Sequence, residues 1–122
     1  MKSYTDFVQS KKLVEILPIE SADMVFAYCD SMDEYTTYPR VLESSKNFDI
    51  YKRDIPCWSL AALLDILKDN IKIEKTGLDQ SDMFTYSIIG DGYDYKTYEY
   101  KELIDACYEM IVKLHRKNKL VL

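Results

Sequence analysis

The C-terminal half of the chain contains three consecutive segments with the composition of β-strands: IKIEK at 71–75, MFTYSII at 83–89 and YDYKTYEY at 93–100. β-Branched and aromatic residues alternate with polar ones, which is typical of half-buried strands. The last two segments are separated by Gly-Asp-Gly at 90–92, and an Asp-Gly pair favours the tight turn of a β-hairpin. The sequence therefore predicts a three-stranded antiparallel meander.

The predicted hairpin assigns its side chains to two faces, because successive side chains of a strand point to opposite sides. With a two-residue turn, the face that packs against the core carries Phe84, Tyr86, Ile88, Tyr93, Tyr95 and Thr97. The opposite face carries Thr85, Ser87, Ile89, Asp94, Lys96, Tyr98 and Tyr100. Because tyrosine is enriched in the centres of protein interfaces, we predict on this second face a binding surface that comprises Tyr98, Tyr100, Lys96 and Ile89.

Two outcomes are open for this predicted surface. In the first, Tyr98 is more exposed than Tyr86 and Tyr95 and is free to contact a partner. In the second, the connection at 30–53 or a helix covers the face, because a connection of that length must pack somewhere. The second outcome predicts that Tyr98→Ala unfolds the protein as severely as Tyr86→Ala.

Helical periodicity is present near both ends of the chain. Apolar residues recur at helical spacing over residues 4–17, and Ser3 followed by Asp6 resembles a weakened capping box at the start. A clear amphipathic helix is predicted over residues 102–118, with acidic residues at its start and basic residues at its end. This charge arrangement is the one that the helix dipole favours.

Three segments between residues 24 and 67 predict one more helix and two more strands. In IPCWSLAALLDIL at 55–67, Pro56 fits a first helical turn, and Trp58 is expected to be a buried packing anchor. MVFAYC at 24–29 predicts a buried strand, and FDIYK at 48–52 predicts a short one.

Together these segments predict a single α+β domain that spans residues 1–122. We expect an antiparallel sheet of about three to five strands packed against about three helices, because sheets and amphipathic helices bury their apolar faces against each other. Leu64 and Met110 are expected in the core. Hydrophobic residues make up 48% of the chain and charged residues 30%, which is typical of a folded protein.

The charge balance argues against nucleic acid as a partner. Sixteen Lys and Arg residues against 21 Asp and Glu give a net charge of −5, which repels a phosphate backbone. No segment approaches the roughly 20 apolar residues that a membrane span needs, and the start MKSYTDFVQSKKL has no apolar run. We therefore expect a cytoplasmic protein with no membrane contact.

Histidine and cysteine offer no metal site in the sequence. His115 is the only histidine, which excludes histidine-based metal clusters and two-histidine mechanisms. Cys29, Cys57 and Cys107 form no C-x-x-C pair, so we expect them to be buried free thiols. No cofactor and no metal are predicted.

Three carboxylates on the predicted C-terminal helix are the strongest candidates for acid chemistry. Glu102, Asp105 and Glu109 lie at i, i+3 and i+7 and share one helical face, where carboxylates can share a proton or a divalent cation. The alternative is an ordinary solvated face of a helix. No nucleophile elbow, phosphate-binding glycine loop or dinucleotide fingerprint is present, and we assign no catalytic residue.

Three stretches resemble a group of small uncharacterised proteins of gut-commensal anaerobes, their prophages and their conjugative elements. These stretches are QSKKLVEILPIESADM at 9–24, IPCWSLAALLDIL at 55–67 and IDACYEMIVKLH at 104–115, which together make up about a third of the chain. The resemblance implies a cytoplasmic accessory protein of mobile-element origin. It implies no activity, catalytic residue, cofactor or ligand.

These observations favour a non-catalytic protein-binding module, an accessory or inhibitory protein. The alternative is a single-strand nucleic-acid-binding protein that stacks bases on Tyr98 and Tyr100 beside Lys96 and Lys101. A third hypothesis is a carboxylate-dependent enzyme that uses Glu102, Asp105 or Glu109. Steep salt dependence of oligonucleotide binding would favour the second hypothesis, and metal-dependent activity would favour the third.

Overall fold

The computed structural model describes residues 1–42, 53–68, 71–77, 84–90, 95–120 and 122. Two of its strands pair over seven residues each. The predicted strand at 48–52, the Asp-Gly pair at 91–92 and Tyr93 lie outside the described residues. Helices and antiparallel sheets occur together, which confirms the predicted α+β class. The chain forms two compact units, Tyr4–Ala62 and Leu63–Leu122, the latter together with Met1–Ser3. The single domain over residues 1–122 stays a prediction.

The unit Tyr4–Ala62 contains two small antiparallel sheets, an α-helix, a 3-10 helix and the start of a second α-helix. Its elements are α1 (Phe7–Val14), a 3-10 helix (Ile19–Ser21), β1 (Met24–Phe26), β2 (Tyr28–Cys29), β3 (Glu34–Tyr35), β4 (Arg40–Val41), β5 (Ile55–Cys57) and the start of α2 (Leu60–Leu67). One sheet has the order β4-β1-β5, and β2 pairs with β3 in the other. Strands β3 and β4 lie in the long connection after Cys29, where the sequence predicted only the strand at 48–52.

Helix α1 begins three residues later than the sequence predicts. The Asp6 carboxylate accepts a hydrogen bond from the Gln9 backbone N–H at 2.8 Å, and the Gln9 side-chain oxygen accepts one from the Asp6 N–H at 3.1 Å. This reciprocal pair is a capping box, with Asp6 as the N-cap. The predicted helix start at Tyr4 is therefore wrong, because the N-cap residue of the capping box is Asp6 and not Ser3.

The predicted helical position of Pro56 is also wrong, because Pro56 lies in β5 opposite Val25. The backbone N–H of Leu42 donates to the Asp23 carbonyl at 3.0 Å. In the antiparallel pattern this directs the backbone groups of Val25 toward β4, so Val25 and Pro56 form a pair without hydrogen bonds. A proline without an N–H therefore fits this position of β5.

Helix α2 begins at Leu60, where the Ser59 hydroxyl accepts a hydrogen bond from the Ala62 N–H at 3.1 Å. Serine in this role stabilises a helix start. Trp58, just before it, is buried as predicted, and its indole N–H donates to the Ser21 hydroxyl at 2.9 Å. The tryptophan thus anchors the core of this unit with its polar atom satisfied.

The second unit contains the predicted meander and the C-terminal helix. Its strands are β6 (Ile71–Gly77), β7 (Phe84–Gly90) and β8 (Tyr95–Lys96), in the antiparallel order β6-β7-β8, and α3 (Leu103–Arg116) packs against β7 and β8. The meander and the amphipathic helix are both confirmed. The core side of α3 carries the buried side chains Ile104, Ala106, Cys107, Met110, Ile111 and Leu114.

The hairpin pairing is shifted from the predicted one, but its faces are kept. Gly90 lies opposite Tyr95 and Ile89 opposite Lys96, whereas a two-residue turn at Asp91-Gly92 would place Tyr93 opposite Gly90. Because the shift is an even number of residues, each side chain in this pair stays on its predicted face.

Candidate functional site

Tyr98 projects from the sheet end as the most accessible aromatic ring of the predicted surface. Its side chain is 77% exposed, whereas Tyr86 and Tyr95 are partly buried, which confirms the predicted ranking. The backbone on both sides of the ring is held in place. The Tyr98 N–H donates to a Glu109 carboxylate oxygen at 2.8 Å, and the Tyr98 carbonyl accepts from the Thr97 hydroxyl at 2.9 Å.

Tyr100 does not lie on the face predicted for it. Its backbone N–H and carbonyl pair with those of Tyr86 at 2.8 and 2.6 Å, one residue beyond the register set by Ile89 and Lys96. The extra residue is a local bulge, and it places Tyr100 on the Tyr86 face. The prediction that Tyr100 continues the Lys96 face is therefore wrong.

The surroundings of Tyr100 are acidic. Burial raises the pKa of its hydroxyl, and the negative charges of Glu109 and Asp105 raise it further. Tyr100 is partly buried. The Tyr100 side chain thus takes part in packing beside α3 rather than forming a second free ring next to Tyr98.

Of the other two predicted residues, Lys96 is exposed and Ile89 is not. The Lys96 ammonium lies 3.8 Å from a Glu74 carboxylate oxygen, and the Lys96 carbonyl accepts a hydrogen bond from the Lys113 ammonium at 2.8 Å. Ile89 is only 8% exposed. Since β7 is the central strand and Ser87 to Gly90 are all buried, Ile89 belongs to the core. The uninterrupted Ile88-Ile89 pair was the sequence signal for this burial.

Three carboxylates, those of the α3 N-cap Glu102 and of Asp105 and Glu109 within the helix, each have a partner in their own unit. The Lys2 backbone N–H donates to Glu102 at 3.0 Å, and the Lys2 ammonium lies 2.6 Å from Asp105. Glu109 accepts the hydrogen bond from the Tyr98 N–H. Among the described residues no group of three or more His, Cys, Asp or Glu side chains could hold a metal ion.

The three cysteines are free thiols in two different environments. Cys57 and Cys107 are buried as predicted, and burial raises the pKa of both, that of Cys107 to about 12. Cys29 is only partly buried, so its predicted burial is wrong. A hydrogen bond with the Ser31 hydroxyl and one from the Met32 backbone N–H lower the pKa of Cys29, because they stabilise the thiolate.

Sequence reasoning missed an aromatic cluster with a cation at its edge in the unit Tyr4–Ala62. The Arg53 guanidinium lies 3.8 Å from the centroid of the Tyr28 ring and 3.7 Å from an Asp30 carboxylate oxygen. The Tyr35 hydroxyl donates to the Arg53 carbonyl at 2.7 Å, and the Tyr35 ring lies 5.1 Å from Tyr28 and 4.9 Å from Phe7. These contacts fix the β2-β3 hairpin.

The same unit exposes several large apolar side chains that the sequence did not single out. Tyr38 is 74% exposed, nearly as much as Tyr98. Met32 and Val41 are also exposed. Single exposed apolar residues are common on monomeric proteins, so Tyr38 serves best as a comparison for Tyr98.

No helix among the described residues has the length and apolar character to cross a membrane. No protein family, curated protein or solved structure matches the chain.

Proposed function

We propose that this protein is a non-catalytic protein-binding module whose partner contacts the exposed end of the C-terminal sheet, with Tyr98 at the centre and Lys96 beside it. The observation that carries the proposal is the exposed Tyr98 ring on a backbone that is hydrogen-bonded at both its N–H and its carbonyl. Because this backbone is already ordered, less conformational freedom is lost when a partner covers the ring. Tyrosine in this setting is a frequent energetic centre of protein interfaces.

The positions of the neighbouring groups favour a protein partner over single-stranded nucleic acid. Base stacking along a strand requires successive free rings, and Tyr100 is partly buried and pairs with Tyr86. Burial raises the pKa of the Tyr100 hydroxyl, and the negative charges of Glu109 and Asp105 raise it further. These carboxylates would repel a phosphate group placed against the Tyr100 ring.

The carboxylate contacts favour binding over catalysis. Glu102 and Asp105 accept contacts from Lys2, and Glu109 fixes the Tyr98 backbone. Each carboxylate thus has a structural task, which supports a non-catalytic role for α3. We propose the cytoplasm as the location, because three free thiols, two of them buried, are typical of a reducing compartment. Such a module would act as an accessory or inhibitory protein.

The test is affinity capture from a lysate of the native host with three forms of the full chain: wild type, Tyr98→Ala and Tyr38→Ala. Tyr38 is the matched control, because it is the same residue type with similar exposure in the other unit. We expect wild type and Tyr38→Ala to retain the same protein partner and Tyr98→Ala to lose it. Equal retention by all three forms would refute the Tyr98 surface. Loss of the captured partner after nuclease treatment would favour the nucleic-acid alternative.

A further inference from the structure

Among the described strands, β6 lies at an edge of the C-terminal sheet, and the contacts of β7 define how the β6 backbone points. The Thr97 N–H donates to the Ile88 carbonyl at 3.0 Å, and the Ile88 N–H donates to the Thr97 hydroxyl at 2.9 Å. Both backbone groups of Ile88 therefore point to the β8 side of β7. They are not available to β6.

Ile73 of β6 lies directly opposite Ile88. Since Ile88 bonds on its other side, Ile73 is in a pair without hydrogen bonds, and its own N–H and carbonyl point away from β7. The backbone N–H and carbonyl of Ile71 and of Lys75, two residues away on either side, also point away from β7. The Ile73 side chain is 42% exposed. The outer side of β6 thus presents regularly spaced backbone donors and acceptors beside an exposed apolar side chain.

We propose that β6 pairs with β6 of a second copy of this chain, antiparallel and with Ile73 opposite its symmetry mate. Ile71 then lies opposite Lys75 on both sides of the two-fold axis, and each pair exchanges two hydrogen bonds through its outward groups. Lys72 lies opposite Glu74 in the closely spaced pairs between them. Two opposite-charge pairs therefore flank a central contact between two isoleucines.

The charge pattern of IKIEK selects this register over its neighbours. When one β6 strand is shifted along the other, only a shift by two residues keeps the outward backbone groups of the two copies opposite each other. In each such register the two-fold axis passes through one residue position, which therefore lies opposite itself. The neighbouring registers place Lys72 opposite Lys72, Glu74 opposite Glu74 or Lys75 opposite Lys75, which are destabilising like-charge pairs. Edge lysines also disfavour unrelated strands, so a second copy is the occupant that this edge fits.

Glu74 strengthens the argument because it already has a cation on its inner side. Its carboxylate lies 3.8 Å from the Lys96 ammonium, and both side chains remain accessible to solvent. In the proposed pair the Lys72 ammonium of the second copy would approach the same carboxylate from the outer side. The ion pairs would then form a short network across the two sheets, which stabilises more than an isolated surface pair.

The test is sedimentation velocity of the full chain over a series of concentrations. We expect wild type to form dimers, and Lys72→Glu and Glu74→Lys each to raise the dissociation constant by roughly tenfold, because each creates two like-charge pairs. An equimolar mixture of these two variants should restore dimers, since the charges then match across the axis. Ile73→Pro is the second type of variant, because it removes an outward N–H and leaves the β6-β7 hydrogen bonds intact.

Thermal unfolding of every variant checks that the fold is retained, and Lys72→Glu leaves the Glu74–Lys96 pair in place. Amide exchange provides an independent readout. In wild type, protection of the Ile73 amide should rise with protein concentration, whereas protection of the Glu74 amide, which faces β7, should not. The proposal is overturned by a wild type that stays monomeric, by dimers that no variant weakens, or by a mixture that stays monomeric.

Discussion

A carboxylate oxygen of Glu109 on α3 lies 2.8 Å from the backbone nitrogen of Tyr98. This contact joins the helix to the irregular stretch between β8 and Tyr100, where the chain leaves the regular ladder. A hydrogen bond to a charged acceptor is stronger than a neutral one. It explains how an exposed ring is carried on an ordered backbone.

Glu109→Ala should release this backbone without unfolding the protein. We expect the Tyr98 amide to exchange faster by roughly tenfold to a hundredfold, because a charge-assisted hydrogen bond contributes about 1.5–3 kcal/mol. Amide exchange followed by NMR measures this directly. Glu99→Ala is the control, since Glu99 is exposed on the same stretch. Unchanged exchange at Tyr98 would mean that the backbone is held by other contacts.

Leu63 and Leu64 give a matched test of the core. The sequence places Leu64 inside, but Leu63 is the fully buried residue and Leu64 is only partly buried. We expect Leu63→Ala to reduce the free energy of unfolding by about 2–5 kcal/mol, and Leu64→Ala by clearly less. Chemical denaturation of both variants decides the matter. An equal or larger loss for Leu64→Ala would contradict the packing of α2.

Asp6 and Ser3 test the start of α1. Asp6→Ala removes the carboxylate that accepts from the Gln9 N–H, and loss of such a cap costs about 0.5–2 kcal/mol of stability. Ser3→Ala should change stability by less than about 0.5 kcal/mol, as exposed positions usually do. The measurement is thermal unfolding of both variants. If Ser3→Ala proves the more destabilising, the capping box lies where the sequence first indicated it.

Because the Cys107 thiol is buried, we expect the protein to lose stability in alkaline solution. Burial raises its pKa from 9.0 to about 12, so between these values the unfolded chain loses a proton that the folded chain keeps. The thiol therefore contributes stability that is complete below pH 9 and declines toward pH 12, by up to about 1.4 kcal/mol per pH unit. Cys107→Ala removes this contribution. The free energy of unfolding of the variant should consequently fall less steeply over this range than that of wild type.

Local patterns in the sequence predicted the elements whose contacts are close in the chain. The meander and the amphipathic helix α3 follow from periodicity. Tyr98 was correctly ranked as more exposed than Tyr86 and Tyr95, although it lies beyond β8 and not within the strand whose alternation suggested its exposure. Tyr100 was misplaced because a bulge inserts a residue that no periodicity reveals. Ile89 was misplaced because a central strand is buried on both faces, and strand order is not a local property.

The strand pairing of the N-terminal sheet was even less predictable from local sequence patterns. β1 pairs with β4 and with β5, which are distant in sequence, and both strands are only two or three residues long. Pro56 next to a strongly helical segment has the local signature of a helix start. The pairing with Val25 overrides that signature, because the tertiary contact decides between two locally acceptable conformations.

The placement of Pro56 also explains how β5 can be covered on its outer side. Ile55 and Cys57 direct their backbone groups toward β1, so the backbone of Pro56 faces the other side, and it has no N–H there. Pro56 is buried, and the segment before α1 runs beside the end of β5, where the Thr5 N–H donates to the Trp58 carbonyl at 2.9 Å. A proline is thus a residue that can be buried at this position without leaving a backbone donor unpaired.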